Sequence, residues 1–546
     1  MMEQVFADQQ IGFPILTIVT FFPLLGALVI WALRDEALAW KVGFAVAAVD
    51  FLVSIPLFTA FSTDSAALQF VEQYPWIPTI GISYHLGVDG ISMLFVVLTT
   101  LLGLLIVGYS YGVITERVRG FLMALFALQT TMLGVFVSLD MVLFFVFWEL
   151  MLIPSYFMIR LWGTEGREYA AVKYVVYTLL GSVLMLVGIV ILYLQHWSFA
   201  SFHGMGPALS FDLLDLMRTR AFMPLDVQIA VFVFLFFGFA FKTPVIPFHT
   251  WMPNALYSGP IAMSVILAGV KLGTFGFVRY SIPLAPDAAR AALPIMMWLG
   301  LIGILYGAYI AIMQADFRKL LAYSSISHLG YVAIGIFALT YQGIQGGLIQ
   351  MINLGISTAG LFFFAGFLWT RRQTLTIAEF GGLAKTMPLL ATFFLIMIFS
   401  SIGLPGTNGF IGEFLILLGA FKAHWIYGAI GVLGVILGAA YMLWFYERAI
   451  FGPVTNPINE RLPDLNRREL AITLPLVALV FWIGVYPSPF LHRINGSVEA
   501  LHARLQPPGQ TPTPLDASAN LPDGDLHSPP HPTAPSPARV ASSGAP

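Results

Sequence analysis

Long apolar runs alternate with short polar segments along the whole chain. The runs are continuous and rich in Leu, Phe and Val, and about 20 such residues are needed for a helix to cross a bilayer. They lack the alternation of membrane β-barrel strands. The pattern predicts an all-α polytopic membrane protein with about fourteen transmembrane helices, near residues 12–33, 39–61, 87–110, 120–138, 140–162, 171–194, 226–247, 253–281, 292–313, 319–341, 343–370, 386–421, 426–449 and 469–489.

Composition agrees with a membrane protein and excludes several classes of site. The chain is 58% hydrophobic and 10% charged, whereas soluble proteins average about 25% charged residues. A net charge of −2 gives no reason to expect a nucleic-acid partner. Because the chain has no cysteine, it has no disulfides, thiolate-bound zinc or iron–sulfur clusters of its own.

The distribution of Lys and Arg predicts the orientation, since short loops on the inner side of a membrane are enriched in both. With both termini on the outer side, the inner loops hold Arg34, Lys41, Arg117, Arg119, Arg160, Arg167, Lys173, Arg318, Lys319, Arg371, Arg372, Lys385, Arg448, Arg461, Arg467 and Arg468. Residues 505–546 are rich in Pro, Ser and Ala, and they predict a disordered tail because they bury too little apolar surface.

Four ionisable residues stand inside or at the ends of apolar runs. Glu149 lies in FFVFWELMLIP, Lys242 in FGFAFKTPVIPF, Lys271 in ILAGVKLGTFGF and Glu413 in GLPGTNGFIGEF. Each costs roughly 2.5–3.5 kcal/mol on insertion scales, so such residues usually serve a function. The structural alternative is a Lys–Glu pair that locks two helices, or a lysine that extends to the headgroups.

Helix-breaking residues accompany these charges. Pro244 and Pro247 follow Lys242, and Pro405 precedes Glu413 among several glycines. Broken helices at membrane depth line cavities or water. The two breaks, at 231–253 and 391–415, predict two inverted five-helix repeats, 120–281 and 282–449, each with a broken helix. They lie between N-terminal helices in 1–119 and a C-terminal loop and last helix in 450–504.

His328 adds a fifth candidate. It lies in LAYSSISHLGYV, where serines and a tyrosine can hold water. Histidine titrates near neutral pH, and a desolvated lysine can do the same. A packing histidine is the structural alternative. Together the five residues predict a proton path in which a neighbouring glutamate controls the proton affinity of a buried lysine.

The stretches FWELMLIPSYFMI, FKTPVIPFHTWMP, DFRKLLAYSSISHLGYV and GLPGTNGFIGEF resemble the antiporter-like subunit M (chain 4) family of respiratory complex I, NADH–quinone oxidoreductase, which is related to the Mrp cation/proton antiporters. The resemblance covers roughly residues 85–450. It implies a proton-translocating membrane-arm subunit in the cell inner (plasma) membrane. It implies, as partners, other membrane-arm subunits, among them two further antiporter-like subunits, besides membrane lipid and protons.

The resemblance also implies a role for each site residue. Glu149 is similar to the fifth-helix glutamate that pairs with a seventh-helix lysine, here Lys242. Lys271 and His328 are similar to the central relay residues. Glu413 is similar to the terminal glutamate, where related antiporter subunits typically carry lysine. No cofactor is expected in this chain, and NADH, FMN, iron–sulfur clusters and quinone are expected in partner subunits.

The sequence departs from the family pattern at several positions. MPNALYSGP has Asn254 in place of an acid and Leu256 in place of a histidine, and MINLGIS has Leu354 in place of a histidine. AGVKLG places Lys271 two residues early, a rotation of about 200° around a regular helix. Two alternatives therefore stay open, an Mrp-type cation/proton antiporter subunit and a non-conducting structural relative of subunit M.

Overall fold

Fourteen helical segments account for most of the fold. The computed structural model describes residues 4–203, 209–454 and 456–506. Within them, thirteen helices are long and apolar enough to cross a bilayer, and a further segment is broken in two. They are α1, Ile15–Ala32; α2, Glu36–Thr59; α3, Met93–Ser110; α4, Val118–Val137; α5, Met141–Trp162; α6, Arg167–His203; α7, Leu225–Lys242; α8, Ile261–Leu284; α9, Pro286–Ile312; α10, Phe317–Phe337; α11, Tyr341–Arg372; α12, Pro388–Ser401 with Asn408–Ala423; α13, Trp425–Ile450; and α14, Arg467–Val485. The predicted all-α polytopic class is confirmed.

Polar residues set where several of these helices begin. Asp140 accepts hydrogen bonds from Val142 N and Leu143 N at the start of α5, and Asp316 accepts from Arg318 N and Lys319 N at the start of α10. Such caps satisfy backbone N–H groups that have no partner within the helix, and each contributes about 1 kcal/mol. These capping residues therefore set where the apolar helices begin.

A small sheet was not predicted. Its strands are β1 (Gln4–Phe6), β2 (Leu68–Ile77) and β3 (Ile82–Val88), in the order β1-β2-β3, with β1 parallel and β3 antiparallel to β2. The span predicted at 87–110 accordingly begins later, at Met93, because its first residues finish β3 and form a turn. The sheet connects the end of α2 to the start of α3, and we call this face of the protein the sheet side.

The sheet is joined to α1 through Glu72. Its carboxylate accepts hydrogen bonds from Leu16 N at 2.7 Å and from Thr17 N at 3.2 Å, so β2 caps the first turn of α1. Burial raises the pKa of the Glu72 carboxyl, while its hydrogen bonds with Thr17 and Leu16 oppose that shift. The contact fixes the sheet to the membrane helices by polar groups as well as by packing.

Three breaks interrupt the helices near the candidate residues. α7 ends at Lys242, and a turn containing Pro244 and Pro247 leads to the helix Trp251–Ser258. α12 is interrupted between Ser401 and Asn408. The predicted breaks at Pro244, Pro247 and Pro405 are confirmed. α8 is interrupted at Val270 and Lys271, and it continues through a π-helical turn at Phe277–Ser281.

The most buried helices lie at the centre of the described structure. α8, α10 and α11 are almost wholly enclosed by other helices, whereas two-thirds of the most apolar stretches of α2 and α13 face outward. A helix of this apolar character needs no polar residue when it is packed on all sides. Polar residues on α8, α10 and α11 therefore require a local explanation, and two of the candidate residues, Lys271 and His328, lie there.

The end of the chain differs from the sequence expectation. After α14, a further helix, α15, runs over Ser488–Leu505 and packs against α11. This helix begins where the last predicted span, 469–489, ends, and it was not predicted. Leu505, the first residue of the predicted disordered tail, ends this helix. Residues 507–546, which hold nearly all of that tail, lie outside the described residues.

Candidate functional site

Glu149 and Lys242 lie near each other without direct contact. Glu149 is half-buried near the middle of α5, and Lys242 is buried at the end of α7. No hydrogen bond or ion pair within 4.0 Å joins them among the described residues. Lys242 Nζ instead donates to the Tyr174 hydroxyl at 3.2 Å, and it lies 5.3 Å from the centre of the Trp148 ring. Aromatic faces attract a buried ammonium, so these rings stabilise its charged form.

Lys242 and Lys271 line the same small cavity. Its volume is about 30 Å³, which exceeds the roughly 10–15 Å³ that one water needs. Ser155 and Thr243 also line it, and the hydroxyl oxygens of both lack a hydrogen-bond partner in the described structure. Buried polar atoms of this kind are usually satisfied by ordered water. The cavity therefore provides a polar connection between the two lysines.

Lys271 lies at the break in α8. Its backbone has left helical geometry, with φ −93° and ψ 63°, and its Nζ donates to the carbonyl of Ala268. The side chain is only 4% exposed. Because the chain stops being helical at Val270, rotation around a continuous helix does not determine where Lys271 points. The missing two-residue spacer is thus compatible with a lysine that faces the shared cavity.

His328 and Glu413 form the other half of the site. His328 Nδ1 on α10 lies 3.4 Å from Glu413 Oε1 on α12, and His328 Nε2 lies 3.3 Å from the Ser401 hydroxyl. Both side chains are about 95% buried. Glu413 also lies against Gly403, where an added Cβ would come within 2.5 Å of Glu413 Oε2. The break in α12 thus makes room for the carboxylate beside the histidine.

A polar network on α11 surrounds Glu413, and the sequence reasoning missed it. Gln350 Nε2 donates to Glu413 Oε1 at 3.4 Å, and Asn353 Nδ2 donates to the Asn408 carbonyl at 2.7 Å. Ser357 and Ser400 extend the network through paired hydroxyls. Gln350, Asn353 and Ser357 recur at the spacing of one helix face. That spacing within an apolar run was the available signal.

The departures from the family pattern have local structural consequences. Asn254 still accepts a hydrogen bond from Lys173 Nζ, at 3.0 Å, so an amide occupies the position where an acid was expected. Leu256 is fully buried, and its carbonyl accepts from Arg318 Nη2 at 2.7 Å. Leu354 is also buried, but it is next to Asn353 on α11. The polar side chain in that turn is therefore Asn353.

A buried ion pair between α8 and the start of α3 was also missed by the sequence analysis. Arg279 on α8 donates through both terminal nitrogens to Asp89, at 2.9 and 2.7 Å, and Asp89 is fully buried. Asp89 directly follows β3 and lies inside the span predicted at 87–110, so it was not identified as a candidate residue. The pair ties the π-helical turn of α8 to the start of α3. Among the described residues, no group of three or more His, Cys, Asp or Glu side chains could hold a metal ion.

Comparison with known proteins yields consistent relatives. A family model described as NADH:quinone oxidoreductase/Mrp antiporter, TM, matches residues 138–438. The chain is 39% identical to NADH-quinone oxidoreductase subunit M of Rickettsia prowazekii (strain Madrid E) over 495 residues, which covers 89% of this chain and 98% of that relative.

Solved structures show the same fold. A chain of respiratory complex I from Thermus thermophilus with bound NADH superposes with a TM-score of 0.81 at 32% identity, covering 90% of this chain and all of that chain. A chain of the Mrp complex from Dietzia sp. DQ12-45-1b superposes with a TM-score of 0.78 at 21% identity, covering 90% of this chain and 98% of that chain. The second similarity concerns the fold alone.

Proposed function

Because this chain belongs to the NADH:quinone oxidoreductase/Mrp antiporter family of transmembrane proteins, we propose that it is a proton-translocating membrane-arm subunit of a complex I-type NADH–quinone oxidoreductase. One observation carries the proposal. Four buried ionisable side chains lie at or beside the breaks of α7, α8 and α12 and on the enclosed helix α10: Lys242, Lys271, His328 and Glu413. Ionisable groups in such surroundings usually mark an ion path.

In this proposal Glu149 and Lys242 are a switching pair. The carboxylate and the ammonium attract each other strongly in the low dielectric of the interior, so their approach favours the charged lysine. The structure shows the pair apart, with Lys242 bonded to Tyr174. When Glu149 moves away from Lys242, the proton affinity of Lys242 falls. The proton then passes towards Lys271 through water in the shared cavity.

Lys271, His328 and Glu413 then act as successive proton carriers. A second cavity of about 20 Å³ lies between the turn after α7 and the face of α10 that carries Leu329 and Gly330. Its lining is mainly apolar, but Thr243 lines both cavities, so this space adjoins the cavity of the lysines and reaches the helix of His328. His328 and Glu413 exchange a proton within their 3.4 Å pair, and Gln350 holds the carboxylate. Glu413 is the exit or the link to the next subunit.

The driving energy comes from outside this chain. NADH oxidation and quinone reduction belong to partner subunits, and their FMN, iron–sulfur clusters and quinone lie there. Quinone chemistry reaches the switching pair as an electrostatic or conformational displacement through neighbouring membrane-arm subunits, two of them antiporter-like. In this proposal the protein lies in the cell inner (plasma) membrane with both termini on the outer side, and the distribution of Lys and Arg between loops supports that orientation.

Two internal repeats, 120–281 and 282–449, form part of the proposal. Asp140 caps α5 and pairs through its backbone with Asp212, which follows α6. Asp316 caps α10 in the same way and pairs with Thr376, which follows α11. The same local device therefore recurs at corresponding helices. An odd number of helices in each repeat requires the second to be inverted, which is the arrangement of many ion-coupled transporters.

Glu413→Gln tests the path at its far end. The amide keeps the size and the hydrogen bond from Gln350, but it cannot take up a proton from His328. We expect proton pumping by the assembled complex in vesicles to fall roughly a hundredfold, the low side of what a lost proton-transfer group costs. Electron transfer to an artificial acceptor is expected to continue.

The matched control is Glu460→Gln, which makes the same change at an exposed position of the short helix Pro457–Arg461. The control should pump at the wild-type rate. If Glu413→Gln pumped as well as the control in a fully assembled complex, the assignment of Glu413 to the path would be wrong.

A further inference from the structure

Asp50 is a buried carboxyl that the proposed proton path does not use. It lies in α2, and none of its surface is exposed. It is nine residues from the end of α2 at Thr59, which places it about 13 Å below the sheet side along the helix. An ionised carboxylate at such depth is costly unless a cation accompanies it. The surroundings of Asp50 therefore decide its charge.

The helices that pack on α2 provide no cation at this level. These helices are α1, α3 and α4, and at the end of α2 Phe58 also contacts Trp482 of α14 and Arg493 of α15, eight residues from Asp50. α1 has no ionisable residue, α3 has only Tyr109 near its far end, and α4 has only Arg119 near its start. Arg119 donates to the carbonyl of Leu33 at 2.5 Å, far from the level of Asp50. The charged residues of α2 itself, Glu36 and Lys41, lie nine or more residues away.

Asp50 instead faces a neutral amide. Gln129 Nε2 on α4 donates to Asp50 Oδ2 at 2.7 Å. The other oxygen of each group, Asp50 Oδ1 and Gln129 Oε1, is buried and has no hydrogen-bond partner in the described structure. The amide is held in place by Gly103, since a Cβ there would come within 2.2 Å of Gln129 Oε1. Each of these two oxygens is a buried acceptor without a donor, which indicates a missing hydrogen.

We propose that Asp50 is a proton-binding site, and that its carboxyl carries a proton at neutral pH and donates it to Gln129 Oε1. The acid and the amide then form two antiparallel hydrogen bonds, Nε2–H to Oδ2 and Oδ1–H to Oε1. This arrangement satisfies both orphan oxygens and removes the buried charge. The proton comes from water and returns to water, so no other reactant is needed.

The distribution of hydroxyl groups indicates the side from which the proton arrives. Ser54 and Thr100 lie nearer the sheet side than Asp50, and their hydroxyls are 2.7 Å apart. Thr20 and Thr130 lie in the same half and have unpartnered hydroxyls. In the opposite direction, the stretches 43–49, 101–108 and 120–128 contain only apolar side chains and glycine. Asp50 therefore exchanges its proton with the sheet side and is not part of a path across the membrane.

Infrared difference spectroscopy of the purified full-length chain tests this proposal at neutral pH. Asp50→Asn keeps the shape and both hydrogen bonds to Gln129 but has no carboxyl group. The wild-type minus Asp50→Asn spectrum is expected to show the carbonyl band of a protonated carboxyl, shifted in deuterium oxide. A difference spectrum with carboxylate bands instead would overturn the proposal.

A second variant keeps the proposal falsifiable if Asp50→Asn does not fold. Gln129→Met retains the carboxyl but removes both partners, so the protonated-carboxyl band is expected to move to higher frequency. An unmoved band would show that the band does not arise from this pair. Combined replacement of Ser54→Ala and Thr100→Val is expected to slow the deuterium shift severalfold, and an unchanged rate would contradict exchange from the sheet side.

Discussion

Glu149→Gln is expected to reduce proton pumping by the assembled complex roughly tenfold or more while electron transfer to an artificial acceptor persists. Glutamine fills the same space on α5, so the helix packing is retained. It has no charge, however, and cannot alter the proton affinity of Lys242 by approaching or leaving it. Lys242 then stays with Tyr174 and Trp148, where the structure already places it.

The control for this variant is Glu165→Gln, in the exposed loop after α5. Pumping and electron transfer should be measured on the same vesicles, because the ratio of the two separates a lost proton path from lost assembly. If Glu149→Gln pumped at the rate of this control, Glu149 would have only a structural role and the switching pair would be wrong.

Arg279→Ala is expected to lower the stability of the folded chain by about 3–5 kcal/mol, the usual cost of removing one partner of a buried ion pair. The Asp89 carboxylate would lose both charge-assisted hydrogen bonds and stay buried with its charge uncompensated. Its remaining hydrogen bonds from Ile91 N and Ser92 N do not neutralise that charge. The turn of α8 beyond Lys271 would lose its attachment to α3.

Thermal unfolding of the purified full-length chain measures this effect. Arg218→Ala is the matched control, because Arg218 makes an ion pair with Asp215 at 2.9 Å but is half exposed. Exposed pairs contribute about 0–1 kcal/mol, so the control should unfold near the wild-type temperature. Equal unfolding temperatures for the two variants would mean that the buried pair does not stabilise the fold.

The sequence predicted the membrane helices and the breaks at Pro244 and Pro405 because these depend on local chemistry. Apolar length and a missing backbone donor are visible without knowledge of the neighbours. The break at Lys271 was not one of the two breaks predicted from the sequence. No proline marks it, and its position depends on how α8 packs between α7, α10 and α11.

The sheet and the roles of the buried carboxyls Asp89 and Asp50 were harder to predict from the sequence than the helices. β2 and β3 are short and directly precede an apolar run, so their residues were merged with the predicted span. Asp89 needs its partner Arg279, which is 190 residues distant in the chain. Asp50 interrupts an apolar run and was a visible signal, but its amide partner Gln129 is identified only by the packing of α2 against α4.

Proton pumping by the assembled complex in vesicles, compared between wild type and Lys271→Ala, tests the central claim most directly. In the proposed path Lys271 comes between the switching pair and His328, and its shifted position is the clearest departure from the family pattern. Lys385→Ala, at an exposed position, is the control. The proposed path predicts that Lys271→Ala loses pumping while the control retains it. Undiminished pumping by an intact Lys271→Ala complex would contradict a proton path through this lysine.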